Sequence, residues 1–97
     1  MDYDVLTSVF GKSVQIRIIE FFLVNEEGIY QLTEIAKLLG VSHSQVHERI
    51  DNLVRKRLLL ETKSSRNRLF ELNKNHPITK QLKDLYSIIR AYNLASQ

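Results

Sequence analysis

The segment from 32 to 57 constrains the fold more than any other part of the 97-residue chain. Apolar residues recur at helical spacing over LTEIAKLL, and Gly40 follows them at the position where a left-handed residue commonly closes a helix. Ser42 and Gln45 then form an S-x-x-Q capping box, which opens a second helix. Because a helix of about two turns cannot bury its apolar face alone, we expect the two helices to pack together across the turn.

The second helix combines one narrow apolar stripe with a broad polar face. Its apolar positions are four, three and one residues apart, at Val46, Ile50, Leu53 and Val54. All the other side chains from 43 to 57 are polar. This pattern predicts a helix that packs on one side only and presents the rest of its surface outward.

The flanking segments predict a mainly helical domain with one small antiparallel β-hairpin. In chain order we expect one or two helical turns within 4–10, a helix after Ser13, a strand stub at 29–31, strands at 58–62 and 68–72, and a helix from Pro77 to about Ala95. The hairpin loop lacks the Asn-Gly or Asp-Gly pair of tight turns, so we expect a longer, mobile turn. One Pro and three Gly favour this fold over a β-sandwich.

Charge is distributed unevenly along the chain. Residues 1–40 carry three basic and six acidic side chains, whereas residues 41–97 carry eleven basic and five acidic ones, giving net charges of −3 and +6. Nucleic acid is the commonest partner of such a basic half. The absence of Cys excludes disulfides, thiolate catalysis and Cys-ligated zinc. The opening residues MDYDV lack a signal-peptide pattern and no apolar run could span a membrane, so we expect a cytoplasmic protein without a membrane partner.

The order of these elements resembles that of a winged helix-turn-helix. The residues that carry the resemblance are LTEIAKLLGVSHSQVHERIDNLVRKRLLLE and RLFEL, and the stretch RLFELNKNHPITKQLKDLY is similar to archaeal members of this family of small transcription regulators. The resemblance covers about residues 12–85. It implies a winged helix-turn-helix domain over 1–76 followed by a C-terminal helix over 77–97, and sequence-specific binding of double-stranded DNA.

In the resembling family, base-facing side chains surround the first core residue of the recognition helix, here Val46. This correspondence implies base contacts by His43, Ser44 and Glu48. Many members carry Arg where this chain has Glu48, which can accept from cytosine N4 but repels phosphate, so it either contacts a base or turns into solvent. With the helix N-terminus and the basic hairpin loop added, the predicted DNA-binding residues are Ser42, His43, Ser44, Gln45, His47, Glu48, Arg49, Lys63, Arg66 and Arg68.

The C-terminal helix carries a heptad seam that either covers the domain's own core or pairs with a second copy. The early helix adds a second apolar stripe, and so short a chain has few surfaces to cover both, so we predict a two-fold homodimer. Its recognition helices would lie about 34 Å apart, matching a near-palindromic site. The predicted interface comprises Ile16, Ile19, Leu23, Ile78, Leu82, Leu85, Ile89 and Tyr92.

Other classes of function have weaker signals. His43 and His47 are four residues apart, a spacing compatible with a metal, but a third ligand is missing from the pattern, so we expect neither metal nor cofactor. No phosphate-binding glycine loop or acid–base pair is identifiable, so we expect a protein that is not an enzyme. The alternative function is a winged helix that binds protein, as an accessory module. Such a module would carry apolar residues where this chain has His43, Ser44, His47 and Glu48. No effector can be identified.

Overall fold

The structure, a computed structural model, describes residues 2–96. Its elements are, in chain order, a 3₁₀ turn (Asp2–Asp4), α1 (Thr7–Phe10), α2 (Val14–Val24), β1 (Tyr30–Gln31), α3 (Leu32–Leu39), α4 (His43–Arg55), β2 (Leu59–Ser64), β3 (Asn67–Leu72) and α5 (Pro77–Ala95). The predicted mainly helical fold with an antiparallel hairpin is confirmed. The predicted strand stub is confirmed as well, and it extends the hairpin into a three-stranded sheet.

Local sequence signals set the ends of the central helices. The hydroxyl of Ser13 accepts a hydrogen bond from the N–H of Ile16 at 3.1 Å, and that of Ser42 accepts one from the N–H of Gln45 at 3.3 Å. Each hydroxyl thereby satisfies a backbone donor that the helix itself leaves unpaired. Gly40 closes α3 with φ at 67°, a conformation that strains residues with a side chain. The helix–glycine turn–helix arrangement read from the sequence is confirmed.

The core lies where α2, α3 and α4 meet the sheet. The stripe of α4 is fully buried at Val46, Ile50 and Leu53, which are at most 1% exposed. Phe21 of α2 meets the ring of Tyr30 edge to face, with centroids 4.8 Å apart, which fixes β1 against the helix. Because the stripe of α4 is used entirely within the core, its polar face is left pointing outward.

A buried carboxylate anchors the N-terminal segment to α2. Glu20 is 0% exposed and accepts hydrogen bonds from the backbone N–H groups of Val5 at 2.8 Å, Leu6 at 2.9 Å and Thr7 at 3.4 Å. These bonds offset the cost of burying the carboxylate and satisfy donors at the start of α1. The sequence pattern gave no sign of this contact.

The hairpin turn is tighter than predicted. β3 is the central strand, antiparallel to both β1 and β2, and Ser64 pairs with Asn67. Only Ser65 and Arg66 therefore form the turn, and the prediction of a longer loop is wrong. Ser65 takes φ of 55°, so a non-glycine residue supplies the positive φ that two-residue hairpin turns require at their first position. We call β2, β3 and this turn the wing.

The last helix packs one side against the core and leaves the other side outward. α5 begins at Pro77 as predicted, and the N–H of Ile78 donates to Nδ1 of His76 at 3.0 Å. Leu82 and Leu85 are partly buried against the core, while Thr79 and Ile89 alone among the described residues of α5 are buried. The helix is thus part of the same packed body as the winged domain, with much of its surface uncovered.

Candidate nucleic-acid interface

The polar face of α4 is exposed along its first two turns. Every predicted contact residue of this helix and its cap lies on the surface, whereas Val46 among them and Ile50 directly after them are fully buried. The exposed residues are Ser42, His43, Ser44, Gln45, His47, Glu48 and Arg49. Their side chains are therefore available to a partner without any change in the core.

Hydrogen bonds organise the N-terminal end of this face. The hydroxyl of Ser42 lies 3.3 Å from that of Ser44 and 3.2 Å from Oε1 of Gln45, in addition to capping the helix. Ser42 is thus a structural residue as well as a surface one. It holds the side chains of Ser44 and Gln45 near the backbone N–H groups at the start of the helix, a place where anions bind favourably.

Two contacts that the sequence did not reveal hold the helix pair on α2. Nδ2 of Asn52 donates to Oε1 of Gln15 at 3.1 Å, and a guanidinium nitrogen of Arg17 donates to the carbonyl of Leu39 at 2.6 Å. The partners are 37 and 22 residues apart along the chain. No local spacing rule links them, so only the fold could identify them.

The wing places its tip beside α4. Lys63 and Arg66 are exposed, and within residues 2–96 neither takes part in an ion pair. A cleft of about 190 Å³ separates the wing from the start of α3 and from α4. Its lining residues are Gln31, Leu32, Thr33, His47, Arg66, Asn67 and Arg68. The structure therefore brings the predicted helix and wing residues to adjoining surfaces.

Arg68 lies across from Lys63, next to the wing tip, and its guanidinium is bound within the protein. Its Nε and one terminal nitrogen donate to both carboxylate oxygens of Glu61 at 2.7 and 3.0 Å, and that terminal nitrogen also donates to Asp51 at 2.7 Å. The other terminal nitrogen is 3.1 Å from Nε2 of His47, whose Nδ1 is 3.4 Å from Asp51. The guanidinium lies 5.1 Å above the ring centroid of Phe70. We call Arg68, Asp51, Glu61 and His47 the Arg68 cluster.

Arg68 also sets the protonation of the two acids. Its hydrogen bonds lower the pKa of Asp51 and the pKa of Glu61, and their carboxylates raise the pKa of Arg68 in return, Glu61 most strongly. All three groups are therefore charged at neutral pH. Arg68, Asp51 and Glu61 together carry one net negative charge, in place of the two that the acids alone would carry.

Comparison with known proteins supports the architecture. The sequence matches no family model and no curated protein. A possible transcriptional regulator from Methanosarcina mazei Go1 is similar in structure, with a TM-score of 0.63 and 13% identity over 96% of this chain and 79% of that one. The adhesin competence repressor of Streptococcus pyogenes is similar with a TM-score of 0.64 and 20% identity over 94% of this chain and 67% of that one. The chain has the winged helix-turn-helix fold.

The winged-helix core already covers part of the predicted dimer interface. Leu23 and Ile89 are 7% exposed and belong to the chain's own core. The partly buried members of the set, Ile16, Ile19, Leu82 and Leu85, pack against that core. Ile78 and Tyr92 remain 49% and 70% exposed, and Ile88, which the predicted seam omitted, is 65% exposed. We call the exposed residues Ile78, Ile88 and Tyr92 the outer flank of α5; helical spacing places Ile78 in line with the buried Ile89, so this flank borders the core-facing side of the helix.

Within residues 2–96, no three His, Asp or Glu side chains cluster so as to hold a metal ion. None of the described helices is both long and apolar enough to cross a membrane.

Proposed function

We propose that this protein is a sequence-specific DNA-binding transcription regulator that acts as a homodimer. One observation carries the proposal: the exposed face of α4 is entirely polar and adjoins an exposed, unpaired basic wing tip at Lys63 and Arg66. A major groove about 12 Å wide admits one helix, and a basic arm beside it meets the phosphate backbone.

In this proposal α4 enters the major groove with its N-terminal end foremost. Ser44 and Gln45 lie at the start of the helix, where side chains reach base edges and the positive end of the helix dipole meets phosphate. His43, His47 and Glu48 complete the base-facing surface, Glu48 as an acceptor for cytosine N4. Arg49, directly beside Glu48, contacts the backbone.

The wing tip supplies contacts that do not depend on sequence. Lys63 lies near the end of β2 and Arg66 lies in the two-residue turn, so both are at the tip of a paired hairpin and not in the longer loop expected from the sequence. Each reaches a phosphate or the narrow edge of the minor groove. Such contacts release counterions and make binding salt-dependent.

A second copy of the chain covers the outer flank of α5. Ile78, Ile88 and Tyr92 form an apolar strip on a helix that buries only one side against its own core. Pairing two such strips about a two-fold axis removes both from water and sets two recognition helices at the spacing of successive major grooves. A homodimer of this kind reads a near-palindromic site.

Regulation follows from occupancy. A dimer bound at a promoter in the cytoplasm blocks polymerase without any catalytic step. The proposal therefore includes no cofactor and no enzymatic activity.

Selection of duplexes from a random pool tests the function directly. We expect the full chain to enrich a site with two-fold symmetry and with half-sites about 10 base pairs apart. A pool that is not enriched would contradict the proposal and favour the alternative, a winged helix that docks onto another protein. Enrichment of an asymmetric site would retain DNA binding and reject the dimer.

A further inference from the structure

Arg68 differs from Lys63 and Arg66 because its guanidinium is already paired with carboxylates of the protein itself. Three of the five N–H groups of its guanidinium donate to carboxylates within the Arg68 cluster, and the second terminal nitrogen lies 3.1 Å from Nε2 of His47. The side chain of Arg68 is 30% exposed, whereas Lys63 and Arg66 are both exposed residues. To bind a phosphate, Arg68 would have to abandon a bidentate carboxylate pair, which is among the stronger hydrogen-bonded contacts in proteins.

The two acids that Arg68 holds lie where negative charge disfavours DNA. Asp51 is one turn beyond His47 on the recognition helix, and Glu61 is on the strand next to the wing tip. Their side chains are 32% and 15% exposed. Left uncompensated, two carboxylates beside a phosphate backbone would repel it.

The same contacts join two separate elements of the interface. Glu61 belongs to β2 and Asp51 to α4, so Arg68 ties the wing to the recognition helix. The ring of Phe70 beneath the guanidinium restricts its position further. The angle at which the wing tip leaves the domain is therefore coupled to α4 through this one side chain.

We propose that Arg68 is a positioning residue, which clamps the wing to the recognition helix and offsets one of the two negative charges of Asp51 and Glu61, and that it does not itself contact phosphate. The proposal rests on the DNA-binding function proposed above and revises the role that the sequence suggested for Arg68. Lys63 and Arg66 then supply the phosphate contacts of the wing, and Arg68 determines where those contacts fall.

Binding to a 24-base-pair mixed-sequence duplex, titrated across salt concentrations, separates the two roles. We expect Arg68→Met to weaken binding on the order of tenfold, because it uncovers two carboxylates. Arg68→Lys keeps the charge but lacks the planar fork, so we expect it to fail to restore affinity. A phosphate contact would tolerate lysine, which binds phosphate as a point charge, so full affinity of Arg68→Lys would overturn the proposal.

A pair of triple variants with equal net charge provides the control. Arg68→Met combined with Asp51→Asn and Glu61→Gln removes the clamp without leaving partly buried charges unpaired. We expect it to keep the wild-type dependence of log K on log salt. Arg66→Met with the same two acid substitutions should lose about 0.9 from that slope, as for one phosphate contact. Equal losses of slope in both triple variants would identify Arg68 as a phosphate contact and overturn the proposal.

Amide hydrogen exchange on the DNA-free protein tests the clamp independently. We expect Arg68→Met to speed exchange in β2 and β3, and Arg66→Met to leave it unchanged. Unchanged exchange in Arg68→Met would reject the clamp. If the wild-type chain does not bind the duplex, both the proposed function and the DNA role of Arg68 are rejected. Faster exchange in Arg68→Met would still show, in that case, that Arg68 clamps the wing to α4.

Discussion

The helices α4 and α5 have similar apolar spacing in the sequence, but the fold buries the apolar residues of α4 far more completely than those of α5. On α4 the apolar stripe packs on the core, with Val46 and Ile50 at 0% exposure and Val54 partly buried, and the exposed side chains are polar. On α5 the seam divides: Ile89 enters the core, while Ile78 and Tyr92 stay 49% and 70% exposed. A repeating pattern shows that a helix has an apolar side, and only the packing shows whether one chain can cover it.

That difference is the basis on which the proposed function gives the two helices different partners. A polar, exposed face next to unpaired cations suits a polyanion, whereas an uncovered apolar strip suits a second apolar surface. The outer flank of α5 is small enough that one matching strip covers it. In the function proposed above, α4 is the DNA-binding side and α5 is the self-associating side.

The same substitution in both helices should give the largest contrast in stability. We expect Ile50→Ala to lower the free energy of unfolding by about 2–5 kcal/mol, because it leaves a cavity at a fully buried site. Ile78→Ala should cost much less, and its cost should depend on protein concentration, since it weakens association. Urea denaturation at two protein concentrations measures both. If both variants lost the same free energy of unfolding at both protein concentrations, the distinction between the two helices would be wrong.

A charge in the outer flank should abolish the dimer without unfolding the chain. Tyr92→Asp places a carboxylate in the apolar strip at an exposed position, so we expect sedimentation to report a monomer. Leu94 is 59% exposed and lies on the opposite side of α5, so Leu94→Asp is the matched control and should leave the mass unchanged. A dimeric Tyr92→Asp protein would exclude the outer flank from the interface.

Sequence discrimination should depend on the start of α4. We expect Gln45→Ala to cost about 1–3 kcal/mol of binding free energy on the selected duplex and little on a scrambled one. Competition binding with the two duplexes measures the difference. Similar losses on both would show that Gln45 does not read a base.

Acid should weaken the Arg68 cluster by a smaller amount. The pKa values of Asp51 and Glu61 are lowered in the folded chain, so their contribution to stability is complete above their unfolded values and is lost as pH falls through the folded ones. We expect Arg68→Met to be less stable than wild type at pH 7, and the gap to shrink below about pH 4. Urea denaturation at both pH values measures this gap, and a gap independent of pH would exclude the ion pairs as its cause.

Local signals predicted the helices well because the chemistry that ends a helix is local. Ser13, Gly40, Ser42 and Pro77 each act within four residues of the backbone groups that they satisfy or terminate, so their effect is visible in the sequence. The exposed face of α4 was equally predictable, since it follows from the buried stripe.

The wing and the seam were harder to predict for physical reasons. The strands predicted from the sequence would make Thr62 and Arg68 the last pair before the turn, whereas in the structure Arg68 pairs with Lys63. A shift of one residue in the register moves every side chain of a strand to the opposite face of the sheet. The diagonal contact between Glu61 and Arg68 is therefore invisible until the turn is known. The core position of Ile89 likewise depends on how α5 docks, which no pattern within the helix specifies.

Chemical-shift mapping of the full chain with the selected duplex tests the central claim most directly. We predict that the amides from Ser42 to Arg49 and those of the wing tip at Lys63 and Arg66 shift together on titration, while the outer flank of α5 does not respond. Shifts confined to other surfaces, with α4 and the wing tip unaffected, would contradict the account.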